Sequence, residues 1–372
     1  MNYEITAPDY GNSILGIPNS ILAHFGAKPH HATLPALDER LRKKDWKNVV
    51  LLLFDGMGVD ALDKDSPGGF FQRHSIAGLS SVCPCTTTSA LTTYETGLSP
   101  IEHGWLGWSC YFREIGKCVD LFSGNQSGTK RPAADHNIVW ENLGYQNLLS
   151  QVQAASPGIE CRGVSPFSDV TIDSCEKVCA QITELCKKEG RRLICAYHYQ
   201  PDHDMHEFGC YDGRVQAMIR SYESQVEAMC AELDDTLLII SADHGLIDVK
   251  VLLLEDFPEI AECLRAPLSR EMRNLSLYIK DEFKDVFPDR WNARFEDSYH
   301  LMPADEAINA GYFGPGALHA RARDFMGDYV AFATGELGLS YRDEQGEYKN
   351  FAATHAGLCR EEMMVPFIVV EC

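Results

Sequence analysis

No stretch of this chain stays apolar for the roughly 18 residues that a membrane-spanning helix requires, so no transmembrane segment is expected. Positive charge is scarce. The 33 lysines and arginines are outnumbered by 54 aspartates and glutamates, for a formal net charge of -21. That balance excludes a nucleic-acid polymer as partner, because no basic stripe can displace its counterions. A small anionic substrate is still admitted, provided that positive charge is supplied locally. The N-terminus, MNYEITAPDYGNS, lacks the basic, apolar, then small-residue order of a secretory leader. Internal repeats and low-complexity tracts are also missing. A soluble, cytoplasmic protein with no membrane partner is expected, and no oligomeric state is implied.

Cysteine, by contrast, is plentiful at 14 residues, and without a leader these read as reduced thiols. Cys175, Val178, Cys179, Ile182, Leu185 and Cys186 recur at helical spacing, which predicts one buried helix face. Cys83 and Cys85 form a pair, but no second pair stands at zinc-finger spacing.

Four short apolar runs predict buried parallel strands: Asn48 to Phe54, Leu193 to Tyr197, Leu237 to Ser241 and Val365 to Val370. Long amphipathic stretches between them, such as Ile138 to Ala154 and Gly213 to Leu233, fit helices. The fold class expected is α/β, with a mostly parallel central sheet and helices on both faces. One catalytic domain spans residues 1–372, and a small α+β lobe is inserted at 272–350, before the last core strand. Within it NLSLYI alternates like a half-exposed strand, KDEFKDVF suits a short helix, GDYVAFA reads as a strand, and Glu336 to Asn350 reads as a surface loop.

Ligands of an open parallel sheet bind beyond the carboxyl ends of its strands, so the residues after each apolar run are the informative ones. Asp55 follows the first run, and Asp243 and His244 follow LLIIS. Asp202 and His206 follow LICAY within PDHDMH, and His355 stands ahead of the last strand. Three carboxylates and three imidazoles can therefore meet at one edge. Mixed oxygen and nitrogen donors suit zinc, with manganese or iron as alternatives. Asp202 and His206, four apart, share a helix face. Six ligands are too many for one catalytic ion with an open position and suit two. Two divalent ions also supply the local positive charge and can deprotonate a hydroxyl without a neighbouring base. Hydroxyls stand close by at Thr86, Thr87 and Thr88, just ahead of a stretch that reads as a helix N-terminus suited to a phosphate.

The motifs LLLFDGMG, TTTSALTTYETGLSPIEHG, PDHDMH, SADHG and THAGLCREEMMVPFIV, in this order, resemble the alkaline phosphatase superfamily. Within it they resemble the branch of type I phosphodiesterases and nucleotide pyrophosphatases. The resemblance implies one ion on Asp55, Thr87, Asp243 and His244, and another on Asp202, His206 and His355. It implies Thr87 as the catalytic nucleophile, nine residues before Thr96, with Thr86 and Thr88 as alternatives. The activity implied is hydrolysis of phosphodiester or pyrophosphate bonds in a small phosphorylated molecule, nucleotide-like substrates included, through a phosphothreonine intermediate. The alternatives are a phosphomonoesterase or phosphonate hydrolase of the same superfamily, and a non-catalytic metal-dependent binding protein.

The chain departs from the nucleotide-cleaving pattern twice. Thr88 replaces an aromatic residue after the nucleophile, and Trp108 stands where an Asn touches the phosphoryl group. Trp105, Trp108 and Tyr111 are candidates for an aromatic pocket, and Tyr312, Phe313 or His319 of the inserted lobe for setting specificity. His103 is expected to be structural and His203 and Asp204 to face solvent, with His198 open between the two readings.

Overall fold

In a computed structural model describing residues 3–343 and 346–372, the apolar runs assemble into one six-stranded sheet. Its strands are β1 (Asn48–Phe54), β2 (Ser75–Ser80), β3 (Glu160–Val164), β4 (Arg192–His198), β5 (Thr236–Ser241) and β6 (Met364–Glu371), in the order β2-β6-β5-β1-β4-β3. All seven residues of β1 and all six of β5 are buried. Because side chains alternate across a strand, burial of every residue means that both faces of the sheet are covered.

The register places the site. Asn48 of β1 pairs with Arg192 of β4 and with Thr236 of β5, all in parallel. Their carboxyl ends are consequently level, with Phe54 beside His198 and Leu53 beside Ser241. Residues leaving these three strands emerge at one edge.

The last strand differs from the expectation, since β6 runs antiparallel to both β5 and β2. The chain reaches His355 at the carboxyl edge of the sheet only nine residues before β6 begins, so the strand can only run back the other way. Helices also differ in part. The stretch 138–154 is broken into Ile138–Leu143 and Leu148–Ala155, because Asn147 caps a new helix by accepting from the Ser150 N–H at 2.9 Å. Four helices matter below: α1 (Thr87–Thr96), α2 (Cys175–Lys187), α3 (Asp202–Phe208) and α4 (Gly213–Cys230). The buried residues of α2 are the six expected from spacing, and all fourteen cysteines are unpaired.

A second six-stranded sheet is antiparallel throughout, in the order 299–303, 329–333, 274–277, 269–271, 109–112, 117–120. It therefore recruits a hairpin from well before residue 272. Strand Asn274–Leu277 is buried on both sides rather than half exposed. Leu275 and Leu277 face an apolar cluster with Phe287, Trp291 and Phe295. On the other face Ser276 donates to the Phe325 carbonyl and Asn274 to the Ala356 carbonyl, so hydrogen bonds replace water there. KDEFKDVF forms a 3-10 turn, Asp281–Phe283, before the helix Phe287–Phe295 begins. The supposed loop 336–350 contains a strand, Leu337–Ser340, paired in parallel with Lys250–Leu253. Glu344 and Gln345 lie outside the described residues.

One buried ion pair ties the two sheets together. Arg273, ahead of strand Asn274–Leu277, donates to both carboxylate oxygens of Glu362 at 2.7 Å, and both side chains are fully buried. Glu362 also accepts the Gly357 N–H at 2.8 Å, two residues after His355. Removing one partner leaves the other as an uncompensated buried charge. Arg273→Met is expected to lower the unfolding free energy by about 3–5 kcal/mol, measured by chemical denaturation. A loss below about 1 kcal/mol would mean that water or another cation reaches Glu362.

Candidate active site

The loop after β1 delivers Asp55, the loop after β5 delivers Asp243 and His244, and α3, four residues beyond β4, delivers Asp202 and His206. His355 follows the short strand Ala353–Thr354. Close approach here depends on Gly56, whose φ of +72° suits glycine and whose Cβ, if present, would lie 2.8 Å from Cβ of Asp202.

These six residues fall into two groups with the ligand atoms of each close together: Asp55, Asp243 and His244, and Asp202, His206 and His355. His244 Nε2 stands 3.4 Å from Asp55 Oδ1 and 3.4 Å from Asp243 Oδ2. His206 Nε2 stands 3.2 Å from Asp202 Oδ2, and His355 Nε2 3.8 Å from Asp202 Oδ1. The groups adjoin, since the His244 and His355 rings stack at 3.8 Å between centroids.

Two features of this chain fit divalent cations. First, Asp55 Oδ1, Asp202 Oδ1 and Asp243 Oδ2 are buried without a hydrogen-bond donor. Such oxygens are costly unless a cation completes them. Second, Nδ1 of each histidine lies against a backbone carbonyl: His206 on Ala353 at 2.7 Å, His244 on Gly245 at 3.2 Å and His355 on Cys85 at 3.2 Å. Donation from Nδ1 leaves every Nε2 as a lone pair facing the carboxylates, the tautomer that a metal ligand needs. The other oxygens are held by protein, with Asp243 Oδ1 accepting the Gly56 and His244 N–H groups at 3.0 Å and Asp55 Oδ2 accepting from Tyr197 Oη.

The electrostatics show the same need. Burial, then the adjacent Asp243 and Asp202, push the Asp55 carboxyl well above the usual range. Burial also raises Asp202, but His206, His355 and His244 outweigh it and hold that carboxyl low. Burial, then His244, push His355 well below the usual imidazole value. Added positive charge would favour the ionised form of Asp55, which burial and the neighbouring carboxylates disfavour.

The three threonines have different surroundings. Thr86 donates to Glu271 Oε1 at 2.6 Å, and Thr88 Oγ1 is buried without a partner. Thr87, the first residue of α1, retains 7% exposure where its neighbours retain none, and its Oγ1 lies 3.3 Å from His244 Nε2. A cleft of about 340 Å³ opens over Thr87, Asp202, His206 and His355. Its outer walls are Trp108, Glu271, Lys349 and Phe351.

Of the aromatic candidates, Trp108 lines this cleft. Trp105 is buried and donates to the Leu143 carbonyl, while Tyr111 packs on Tyr278. Tyr312, Phe313 and His319 do not line it: Tyr312 stacks on Phe332, Phe313 is buried in the core, and His319 lies beside Gly104. His103 is buried, accepts the Trp105 N–H at Nδ1 and contacts Thr93 at 3.2 Å. Burial lowers its pKa to about 3, so it is a neutral structural group. His203 is exposed at the cleft rim, Asp204 accepts from Gln200, and His198 is buried against Tyr222, its pKa lowered by burial to about 4. Among the described residues, neither candidate metal-holding group includes a cysteine.

Glu271, Lys349 and Tyr197 escaped the sequence reading. Glu271 ends a strand of the second sheet and Lys349 follows strand Leu337–Ser340, so neither stands after a strand of the central sheet, and neither carries a motif. Tyr197 closes an apolar run and reads as core. Glu271 accepts from Thr86 and from the Trp108 N–H, both at 2.6 Å, and so joins the threonine turn to the cleft wall. Burial pushes its pKa up, opposed by those two hydrogen bonds and by Lys349.

Comparisons with known proteins place this geometry. No curated protein sequence matches the chain. Among solved structures, murine ectonucleotide pyrophosphatase / phosphodiesterase 5 superposes with a TM-score of 0.63 at 16% identity, over 86% of this chain and 87% of that one. It has also been solved as an inactive threonine-to-alanine form with AMP, with a TM-score of 0.60 at 16% identity over 86% of this chain and 87% of that one. Phosphonoacetate hydrolase from Sinorhizobium meliloti 1021, in complex with phosphonoformate, superposes with a TM-score of 0.64 at 15% identity, over 87% and 90% of the two chains. These likenesses establish the alkaline phosphatase-like fold. Residues 49–356, most of the chain, match the sequence pattern of type I phosphodiesterase / nucleotide pyrophosphatase, and the protein belongs to that family.

Proposed function

We propose that the protein is a two-metal phosphoesterase that hydrolyses phosphodiester or pyrophosphate bonds in small molecules. The observation that carries this reading is the meeting of Thr87 with two adjoining carboxylate–imidazole groups, of which Asp202, His206 and His355 line the same cleft as Thr87 and Asp55, Asp243 and His244 lie buried beside them. In the ligand sets proposed, Asp55, Asp243, His244 and Thr87 hold one ion and Asp202, His206 and His355 the other. Zinc is the ion that the three imidazoles favour. When bound, such ions neutralise phosphoryl oxygens and lower the pKa of the Thr87 hydroxyl.

The chain's own residues then do the following. Thr87 Oγ attacks phosphorus in line, forming the phosphothreonine ester as the bond to the leaving oxygen breaks. The leaving group takes a proton from solvent. Water attacks the same phosphorus from the opposite side, the Thr87–phosphorus bond breaks, and the hydroxyl is restored by a proton. His103 and Glu271 hold the two ends of the turn and helix that carry Thr87. The inactive threonine-to-alanine form of the murine structural neighbour supports a threonine in this role. We place the enzyme in the cytoplasm, on the ground that all fourteen cysteines are unpaired thiols. No described helix is long and apolar enough to cross a membrane.

The test is a steady-state comparison of bis(p-nitrophenyl) phosphate with p-nitrophenyl phosphate on protein of measured metal content. A kcat/KM at least about tenfold higher for the diester is expected. A preference for the monoester would keep the fold and transfer the protein to the monoesterase reading.

A further inference from the structure

We propose that Lys349 is the specificity-determining side chain of the cleft, selecting substrates whose phosphorus-linked group carries a second anionic group, either a carboxylate or another phosphoryl. The proposal rests on the phosphoesterase reading above and narrows it to a substrate class.

Consider which charges an entering substrate meets. The carboxylates and imidazoles at and beneath the floor are committed to the two ions of the proposed function, whose combined charge answers the phosphoryl group itself. Beyond that floor, the ionisable side chains of the cleft wall are Glu207, Glu271, His203 and Lys349. Without Lys349 the outer cleft would be lined by two carboxyls and an imidazole, in a chain of net charge -21, and would disfavour a second anion. Lys349 reverses the local sign at one point.

Its environment keeps that charge available. The ammonium lies 5.6 Å from the centroid of the Trp108 ring and 6.0 Å from that of Phe351, both of which line the cleft. Among the described residues it makes no ion pair, whereas Lys43, Lys44 and Lys64 are each paired with a carboxylate. Two aromatic faces can orient an ammonium weakly without neutralising it. Trp108 is itself positioned, since its N–H donates to Glu271, and Glu271 in turn accepts from the threonine beside the nucleophile. Lys349, Trp108 and Phe351 also line a second, adjoining cavity of about 290 Å³, whose wall adds the carboxyls of Asp120, Asp343 and Glu347. A group attached to phosphorus that extends from the first cavity toward the second reaches this junction. There it meets a compact cation with three donors, which recognises an anionic oxygen of any geometry.

Three non-hydrolysable phosphonates separate the possibilities by calorimetry on zinc-loaded protein: butylphosphonate with an uncharged tail, 3-phosphonopropionate with a carboxylate, and propane-1,3-diphosphonate with a second phosphoryl. At least one charged-tail ligand is expected to bind about tenfold or more tightly than butylphosphonate. That advantage should shrink to about twofold or less in Lys349→Met and persist in Lys349→Arg, with metal content unchanged in both variants. The tail with the larger advantage identifies the second anionic group. Equal affinities in the wild type, or an advantage undiminished in Lys349→Met, would overturn the role of Lys349 alone. Failure of all three phosphonates to bind would overturn the phosphoryl site itself and this proposal with it.

Discussion

Thr87→Ala is expected to lower kcat for bis(p-nitrophenyl) phosphate by at least about 10³-fold, because loss of a nucleophile leaves only binding and electrostatic contributions. Metal content should be retained, since Asp55, Asp243 and His244 remain as one proposed ligand group and Asp202, His206 and His355 as the other. The surroundings of the three hydroxyls make the choice specific. Thr86 Oγ1 is committed to Glu271, Thr88 Oγ1 is buried away from any partner, and of the three only Thr87 Oγ1 meets His244, at 3.3 Å from its Nε2. A phosphorylated peptide containing residue 87, trapped from wild type by acid quench and absent from Thr87→Ala, would assign the covalent step. Undiminished turnover in the variant would mean that another group attacks phosphorus.

Removal of divalent ions by a chelator is expected to abolish turnover and to lower the melting temperature by about 7 °C. The figure follows from two sites, each near 100-fold saturation and worth about 2.7 kcal/mol, divided by the unfolding entropy of a chain this long. Asp55, Asp202 and Asp243 explain the sign. Each holds a buried oxygen with no donor, and Asp55 is already destabilised as an anion by burial and then by the other two. Zinc, manganese and ferrous iron added back singly should each restore the melting temperature, and their relative kcat values rank them as cofactors. An unchanged melting temperature after complete demetallation would show that the cluster is satisfied by protons instead.

Much of this site was legible in the chain because parallel strands are short apolar runs with a defined exit. Asp55, Asp243 and His244 lie within three residues of such an exit, and the level register of β1, β4 and β5 brings them together. Asp202 and His206 were legible through helical spacing. The antiparallel course of β6 was not, because an apolar run carries no information about direction. The burial of Asn274 and Ser276 was not either, since their alternation with Leu275 and Leu277 looks the same whether water or a neighbouring segment satisfies the polar face.

By itself, then, the sequence determined the sheet, the helix faces and the chemistry at the strand ends, because these rest on local periodicity and on residue type. Only the tertiary structure decided which threonine faces the cleft and which side chains surround the leaving group. Thr86, Thr87 and Thr88 are chemically equivalent in the chain, and they are distinguished by a helix start that turns one toward His244, one toward Glu271 and one into the core. Trp108, Glu271, Lys349 and Phe351 come from three distant segments, and only the tertiary fold brings them to one cleft.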